Sequence, residues 1–383
     1  MKEAVFLQEV KEIQLLKNAL TLLDWDSSTG MPEKSSPFRG EVEGYLTGLY
    51  FERSIGPVIQ EALAYFETRP EELSELGKLV FEKVKEEYAL NKNVPAERMQ
   101  EYVKVLNQAH TDWLKARAAQ DFGLLEETLT KVVAFQKEFI PYWQKEEKTP
   151  YDVLLNQFEP GMTVEKLDQV FDQVKQGIQE IRTVLAEKGT PPRTDFLSRK
   201  MTKEQQRRFV IGVVEQLGYD FSKGRLDDTV HPFMTALNRN DARITTRWEE
   251  NNFSMATFGV IHEAGHGMYE QNFDPKFDFT PLSEGASMGI HESQSLFNEI
   301  IIGSNRAFWQ KQYPFFQECA EGTFDDIAFE DFYASLKETK ASLIRIDSDS
   351  LTYPLHIIIR YEIEKMLFNG SLEVADLPKV WNE

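Results

Sequence analysis

The sequence predicts a mainly α-helical protein with one small antiparallel β-hairpin. Three observations lead there. Apolar residues recur at three- and four-residue steps along most of the chain, as amphipathic helices require. One stretch, about 226–250, alternates instead and carries the turn-like Asn238-Arg239-Asn240-Asp241. The 383 residues are 41% hydrophobic, enough for a sizeable core.

The first helix spans 3–24, where Phe6, Val10, Ile13, Leu16, Leu20 and Leu23 form one stripe. Gly30 and Pro32 in "STGMPEKSS" break the pattern. Helical periodicity returns over 73–91. A further helix starts at Pro95, a residue suited to the first turn, and runs to about 120. Others follow near 124–146 and 164–188. Thr202 and Gln205 form a capping-box pattern ahead of Phe209, Val210, Val213, Val214 and Leu217, and Gly218 ends that helix. After the hairpin, a helix following Ser254 carries "FGVIHEAGHGMYEQN" (258–272). The next starts near Ser283 and carries "SMGIHESQSLFNEII". Helices continue through "IRIDSDSLTYPLHIIIRYEIEKML", and a fresh one starts at Ser371. No fixed-period repeat or low-complexity linker appears. The expected organisation is a single domain, 1–383, in two lobes: a helical one over about 1–200 and a second over about 201–383.

Composition excludes several functions. The formal net charge is −20, which argues against gripping nucleic-acid phosphates or an anionic membrane. No run of about 18 apolar residues predicts a spanning helix. The N-terminal "MKEAVFLQEVKEIQLL" interleaves acidic residues with apolar ones, unlike a secretory signal. Cys319 is the single cysteine, so no intrachain disulfide forms. A reducing cytoplasm is the expected location, and Cys319 is expected in the core.

The chemistry concentrates in "HEAGH". Four residues apart on a helix, His262 and His266 share a face and can point two imidazoles at one ion. Glu263 stands about 100° around from His262, beside the ion, where a general base for an activated water belongs. The plain alternative is two satisfied histidines on a helix. Gly259, Gly265 and Gly267 add weight to the metal reading. Each costs about 1 kcal/mol relative to alanine in a helix interior, so a neighbouring helix or a substrate is expected to approach closely. A catalytic zinc usually takes three protein ligands and keeps a fourth position open. Glu292 is the preferred third ligand, 26 positions after His266 (292 minus 266), with His291 before it and Gln294 and Ser295 after it. Glu284 and Glu299 are the competing carboxylates.

With these residues in place, the sequence resembles the carboxypeptidase Taq family of zinc metallocarboxypeptidases. The likeness covers the chain from "LDWDSSTGMPE" at 23–33 onward. The family's His-Pro-Phe stands at 231–233, its Asp-x-Arg-x-Thr at Asp241, Arg243 and Thr245, its HExxH at 262–266 and its His-Glu-Ser-Gln at 291–294. Its Ile-Arg-x-x-Ala-Asp stands at 344–349, with Ser348 in place of alanine. The resemblance implies a zincin-like, neurolysin-type helical fold with a deep substrate groove and a small antiparallel sheet beside the motif helix. It implies Zn²⁺ on His262, His266 and Glu292, with cobalt as an alternative ion, Glu263 as general base, and a homodimer. Family members also continue into a C-terminal Gly-x-x-Gln-Asp-x-His-Trp that has no match here, so the chain is expected to lack the family's C-terminal part.

A carboxypeptidase must hold the free carboxylate of its peptide substrate, and arginine does this best through its planar fork of donors. Arg345 is the first candidate. Read as a helix, Arg345, Asp349, Thr352 or Tyr353, His356 and Arg360 align, although Pro354 interrupts the run. Arg243 is the second candidate, alternating with Asp241 and Thr245 on one face of the hairpin. Asp241 is a candidate to orient a metal-binding histidine. His231 is read as an oxyanion donor or as packing, with Tyr353 and His356 as similar candidates, and His110 as surface. The alternatives are a zinc oligopeptidase cutting internally and a metal-binding but inactive form.

Overall fold

Helices form where the apolar steps recur. In the computed structural model, which describes residues 1–382 except Ile346 and Asp347 and only the backbone of Glu33, Ala96 and His110, the first helix is Glu3–Thr29. It buries Phe6, Val10 and Ile13 and continues past the predicted stripe to bury Trp25. The helices Glu75–Asn91, Ala96–Ala119, Gly123–Trp143 and Val164–Lys188 follow the predicted spans closely. The capping box of Thr202 and Gln205 is formed at the start of Lys203–Leu217. Gly218 closes that helix at φ 115°, a left-handed conformation that favours glycine. The reading of His110 lies outside the described side chains.

The chain divides into two compact units, Met1–Tyr88 with Pro191–Glu338, and Ala89–Thr190 with Thr339–Glu383. The first unit has two cores. Phe6, Ile59, Phe66, Val80 and Phe81 make one among the N-terminal helices. The other holds Phe209, Val210, Phe253, Val260, Ile261, Trp309, Phe316 and Phe332. There the ring of Phe316 lies 4.8 Å from Phe253, 5.0 Å from Phe332 and 5.2 Å from Phe209. Phe253 is the first residue of the helix Phe253–Gln271 that carries the HEAGH motif, so this aromatic cluster anchors one end of the motif helix. Cys319 is buried in the same core.

The sheet departs from the expected antiparallel pairing. It has three strands, β1 (Leu226–Asp228), β2 (Met234–Asn238) and β3 (Asp241–Thr246), in the order β1-β3-β2. β2 and β3 pair antiparallel, with an irregularity between Ala236 and Asn238, while β1 runs parallel to β3. Alternation marks strands but not their direction. A parallel neighbour needs a crossover, and residues 229–240, including β2, supply it.

Three other boundaries moved. The motif helix starts at Phe253, one residue before the proposed Ser254 cap. The HESQ motif lies on Met288–Leu296, capped by the Ser287 side chain rather than begun near Ser283. Residues 374–382 form a short 3-10 turn and a short helix, Leu377–Asn382, in place of one helix from Ser371.

The second unit is built on helix pairs. Phe135 and Phe139 pack with Tyr102 and Trp143, and Tyr151, Ile140 and Leu154 pack with Tyr361. The Tyr361 hydroxyl donates to Asp168 at 2.7 Å, and Lys365 Nζ meets the same oxygen at 2.5 Å. The predicted stripe from Arg345 to Arg360 is not one helix. Asp349 accepts from the backbone N–H groups of Leu351 and Thr352 and from the Thr352 hydroxyl. The helix Tyr353–Phe368 begins only there, with Pro354 in its first turn. Of that stripe, Tyr353, His356 and Arg360 lie inside this helix, and Arg345, Asp349 and Thr352 precede it.

Candidate metal centre

The HEAGH helix places His262 and His266 one turn apart, with ring centroids 5.0 Å from each other. Nε2 of each ring faces the same carboxylate oxygen, Oε2 of Glu292, at 3.7 Å from His262 and 3.2 Å from His266. The three ligand atoms lie within 4.8 Å of one another. A tetrahedral ion bound at about 2.1 Å separates its ligand atoms by about 3.4 Å. The observed separations bracket that value, and two imidazoles with one carboxylate are a fitting donor set for a divalent ion.

Glycine brings Glu292 there. A Cβ on Gly265 would sit 2.7 Å from the carbonyl oxygen of Gln294 and from Cα of Ser295. Only glycine lets the HESQ helix cross the motif helix so closely. Gly267 plays the same part toward the ring of Tyr219, again at 2.7 Å, whereas Gly259 meets nothing closer than Thr246 Oγ1 at 4.0 Å. Ser295, fully buried at the crossing, donates through Oγ to the Glu292 carbonyl at 2.7 Å and lies 3.1 Å from Oε2. Burial alone would raise the Glu292 pKa, but the His266 and His262 rings and Ser295 hold it below the ordinary value.

The far sides of the two imidazoles are held differently. His262 Nδ1 meets Glu299 Oε2 at 2.8 Å. Glu299 lies on a π-helical turn, Phe297–Ile302, that continues the HESQ helix. Burial opposes the charged His262 ring, yet Glu299 outweighs it and raises the pKa. His266 Nδ1 instead meets Nδ1 of His291 at 2.6 Å, and His291 Nε2 meets Glu270 Oε1 at 2.9 Å. The His266 and His291 rings stack at 4.5 Å and 29°, and Tyr269 packs edge-on to His291 at 5.5 Å.

Glu263 is 7% exposed. Burial pushes its carboxyl up to about 7; His262 opposes the rise, and Glu292 and Glu299 add to it. It is a group able to gain and lose a proton near neutral pH.

The other predicted residues fall in several places. Glu284 pairs with Lys17 at 2.5 Å. Asp241 holds Arg243 through two contacts of 2.8 Å, and the Arg243 guanidinium lies 5.4 Å from the Trp25 ring centroid. Asp241 is therefore bound to its own strand neighbour, and the groups meeting the far nitrogens of His262 and His266 are Glu299 and His291. His231 is exposed. Gln294 contributes its carbonyl to the helix crossing, and its side chain donates to Ser293 Oγ at 3.2 Å. Arg345, Asp349, Tyr353 and His356 belong to the second unit. Arg345 Nη1 donates to the Tyr353 hydroxyl at 2.8 Å, and His356 is half-buried.

Sequence reasoning passed over Glu270, named Ser295 without giving it a role, and weighed Glu299 only as a ligand. The signal was spacing. Glu270 extends the His262, His266 row by another four residues, and Ser295 follows Glu292 by three.

The carboxypeptidase Taq (M32) metallopeptidase family matches residues 5–383. Carboxypeptidase 1 of Bacillus subtilis (strain 168) is 44% identical over 381 residues, covering 100% of this chain and 76% of the relative. Thermostable carboxypeptidase 1 of Thermus thermophilus is 33% identical, covering 97% of this chain and 75% of its own length. The crystal structure of the M32 carboxypeptidase from Deinococcus radiodurans R1 superposes with a TM-score of 0.93 at 34% identity. That match covers 98% of this chain and 75% of the neighbour.

Proposed function

The chain belongs to the carboxypeptidase Taq (M32) family of metallopeptidases, and from that membership we propose that it is a zinc-dependent carboxypeptidase removing C-terminal residues from peptides. The observation that carries this reading is the convergence of His262 Nε2, His266 Nε2 and Glu292 Oε2 beside the buried Glu263. When bound by these three residues, a divalent ion, zinc or in its place cobalt, would supply Lewis-acid polarisation of the scissile carbonyl and acidify a neighbouring water.

The chain's own groups do the rest. Glu263 accepts the proton of the attacking water and returns it to the leaving amine. Its burial keeps bulk water from competing for that proton. Glu292, held by Ser295, and the two histidines, held by Glu299 and His291, keep their ligand atoms aimed at one point.

Arg345 is assigned the substrate's terminal carboxylate, with Tyr353 orienting the guanidinium. Arg243 is the weaker candidate because two of its donors already engage Asp241. His231, exposed beside the sheet, and His356 remain assigned to substrate contact. An internally cutting oligopeptidase finds no separate support.

The single cysteine supports a reducing, cytoplasmic location. Among the described residues no helix is long and apolar enough to cross a membrane. A homodimer is the expected assembly, checked by light scattering.

The deciding experiment is mass spectrometry of an N-terminally blocked peptide incubated with the zinc-loaded chain. Stepwise loss of single C-terminal residues is expected. Glu263→Gln should keep the metal and lose about 10²- to 10⁴-fold in rate. Internal fragments, or undiminished activity in Glu263→Gln, would refute the reading.

A further inference from the structure

The two histidines of the centre are supported by different chemistry, and the support of His266 passes through a second imidazole. If His266 gives Nε2 to an ion, its Nδ1 must carry the remaining proton. That proton points at His291 Nδ1, 2.6 Å away. His291 Nδ1 then accepts, so the His291 proton sits on Nε2 and donates to Glu270 Oε1 at 2.9 Å. The directions close without conflict: carboxylate, neutral imidazole, neutral imidazole, ion.

The geometry points to Glu270 as a positioning residue that fixes the tautomer and orientation of His266 through His291. The surroundings are built for this. Glu270 is 6% exposed, so its carboxylate lies away from bulk water. Tyr269 and the His266 ring hold His291 on two sides. Gly285 leaves the remaining room: a Cβ there would come 2.6 Å from His291 Cδ2. His262 needs no such chain, because Glu299 reaches its Nδ1 directly. At Nδ1, one imidazole thus meets a carboxylate directly and the other reaches one only through a second, polarisable ring.

This inference rests on the metal reading above, and its test separates the two. Zn²⁺ affinity is measured by chelator competition for the parent chain, Glu270→Gln, His291→Asn and the double variant, and the absorption spectrum of each is recorded with Co²⁺. Glutamine keeps an acceptor for His291 but removes the charge. Asparagine keeps an acceptor for His266 Nδ1 but severs the link to Glu270.

Glu270→Gln is expected to weaken Zn²⁺ binding by about 10- to 100-fold and to shift the Co²⁺ bands. In the His291→Asn background the same change should alter affinity by less than about twofold, since the path is already cut. Melting of the metal-free chains reports folding separately. A parent that binds no metal overturns both readings. A parent that binds, with Glu270→Gln binding equally or with an equal loss in the His291→Asn background, overturns the relay alone.

Discussion

The HEAGH helix and the segment 345–360 carry the two halves of the expected chemistry, and they are built in opposite ways. Both show polar residues at three- and four-residue steps. In the first, the steps run along one unbroken helix, Phe253–Gln271, whose small residues let a second helix close on it. In the second, the steps cross from a turn held by Asp349 into a helix that begins at Tyr353. Polar periodicity therefore identifies a shared face only where nothing in the run forces the backbone out of the helix. Pro354 does so here: without a backbone N–H it fits only the first turn, so the helix starts at Tyr353 and does not extend back to Arg345.

The sharpest way to break this contrast is metal content. His262→Ala should lose the ion altogether, whereas Arg345→Ala should keep a full equivalent, both read by elemental analysis after purification. Loss of metal in the arginine variant would mean that the two regions are not separate in function. A smaller effect is expected from closing the helix crossing. Gly265→Ala forces a methyl against the Gln294 carbonyl and Ser295 backbone and should cost about 1–3 kcal/mol in urea unfolding. Gly259→Ala, with no such neighbour, should be neutral or stabilise by up to about 1 kcal/mol. Equal costs at the two positions would refute the close-crossing argument.

The second region is tested by substrate. Arg345→Gln removes a charged donor and should reduce kcat/KM about 10- to 100-fold through a raised KM, with metal content unchanged. An unaltered KM would reassign the carboxylate anchor.

The smallest effect lies further along the same unit. Burial would raise the Asp168 pKa, but Lys365 and Tyr361 outweigh it and hold it below its ordinary value of 3.8. A lowered folded pKa gives stability that is present above the unfolded value and lost as pH falls through the folded one. Between about pH 6 and about pH 2 the urea midpoint of the parent should fall further than that of Asp168→Asn. Parallel curves would show that this ion pair contributes nothing.

Much of the fold was legible because helices announce themselves locally. The Thr202–Gln205 cap and Gly218 mark both ends of Lys203–Leu217 within a few residues of sequence. The Glu292 contact was legible for a different reason: few carboxylates stand beside a histidine after a suitable loop. The direction of β1 was not legible, since alternation is the same in parallel and antiparallel strands. Nor was the partner of His262. Glu299 is separated from it by 37 positions, and the sequence offered Asp241 for that role, which the structure shows bound to Arg243. Contacts between distant elements depend on how helices cross, which no single segment encodes.

The π-helical turn Phe297–Ile302 has a consequence for change over generations. Such a turn amounts to an α-helix with one surplus residue, and the surplus sets the angle at which everything beyond it emerges. Deleting one residue between Ser295 and Glu299 would restore ordinary pitch and change the direction in which Glu299 leaves the helix relative to Glu292, which would stay in place upstream. Substitutions in this stretch leave its length unchanged, but a single-codon deletion would separate Glu292 from Glu299, the carboxylate that meets His262. Its length, more than its lettering, is the inherited quantity.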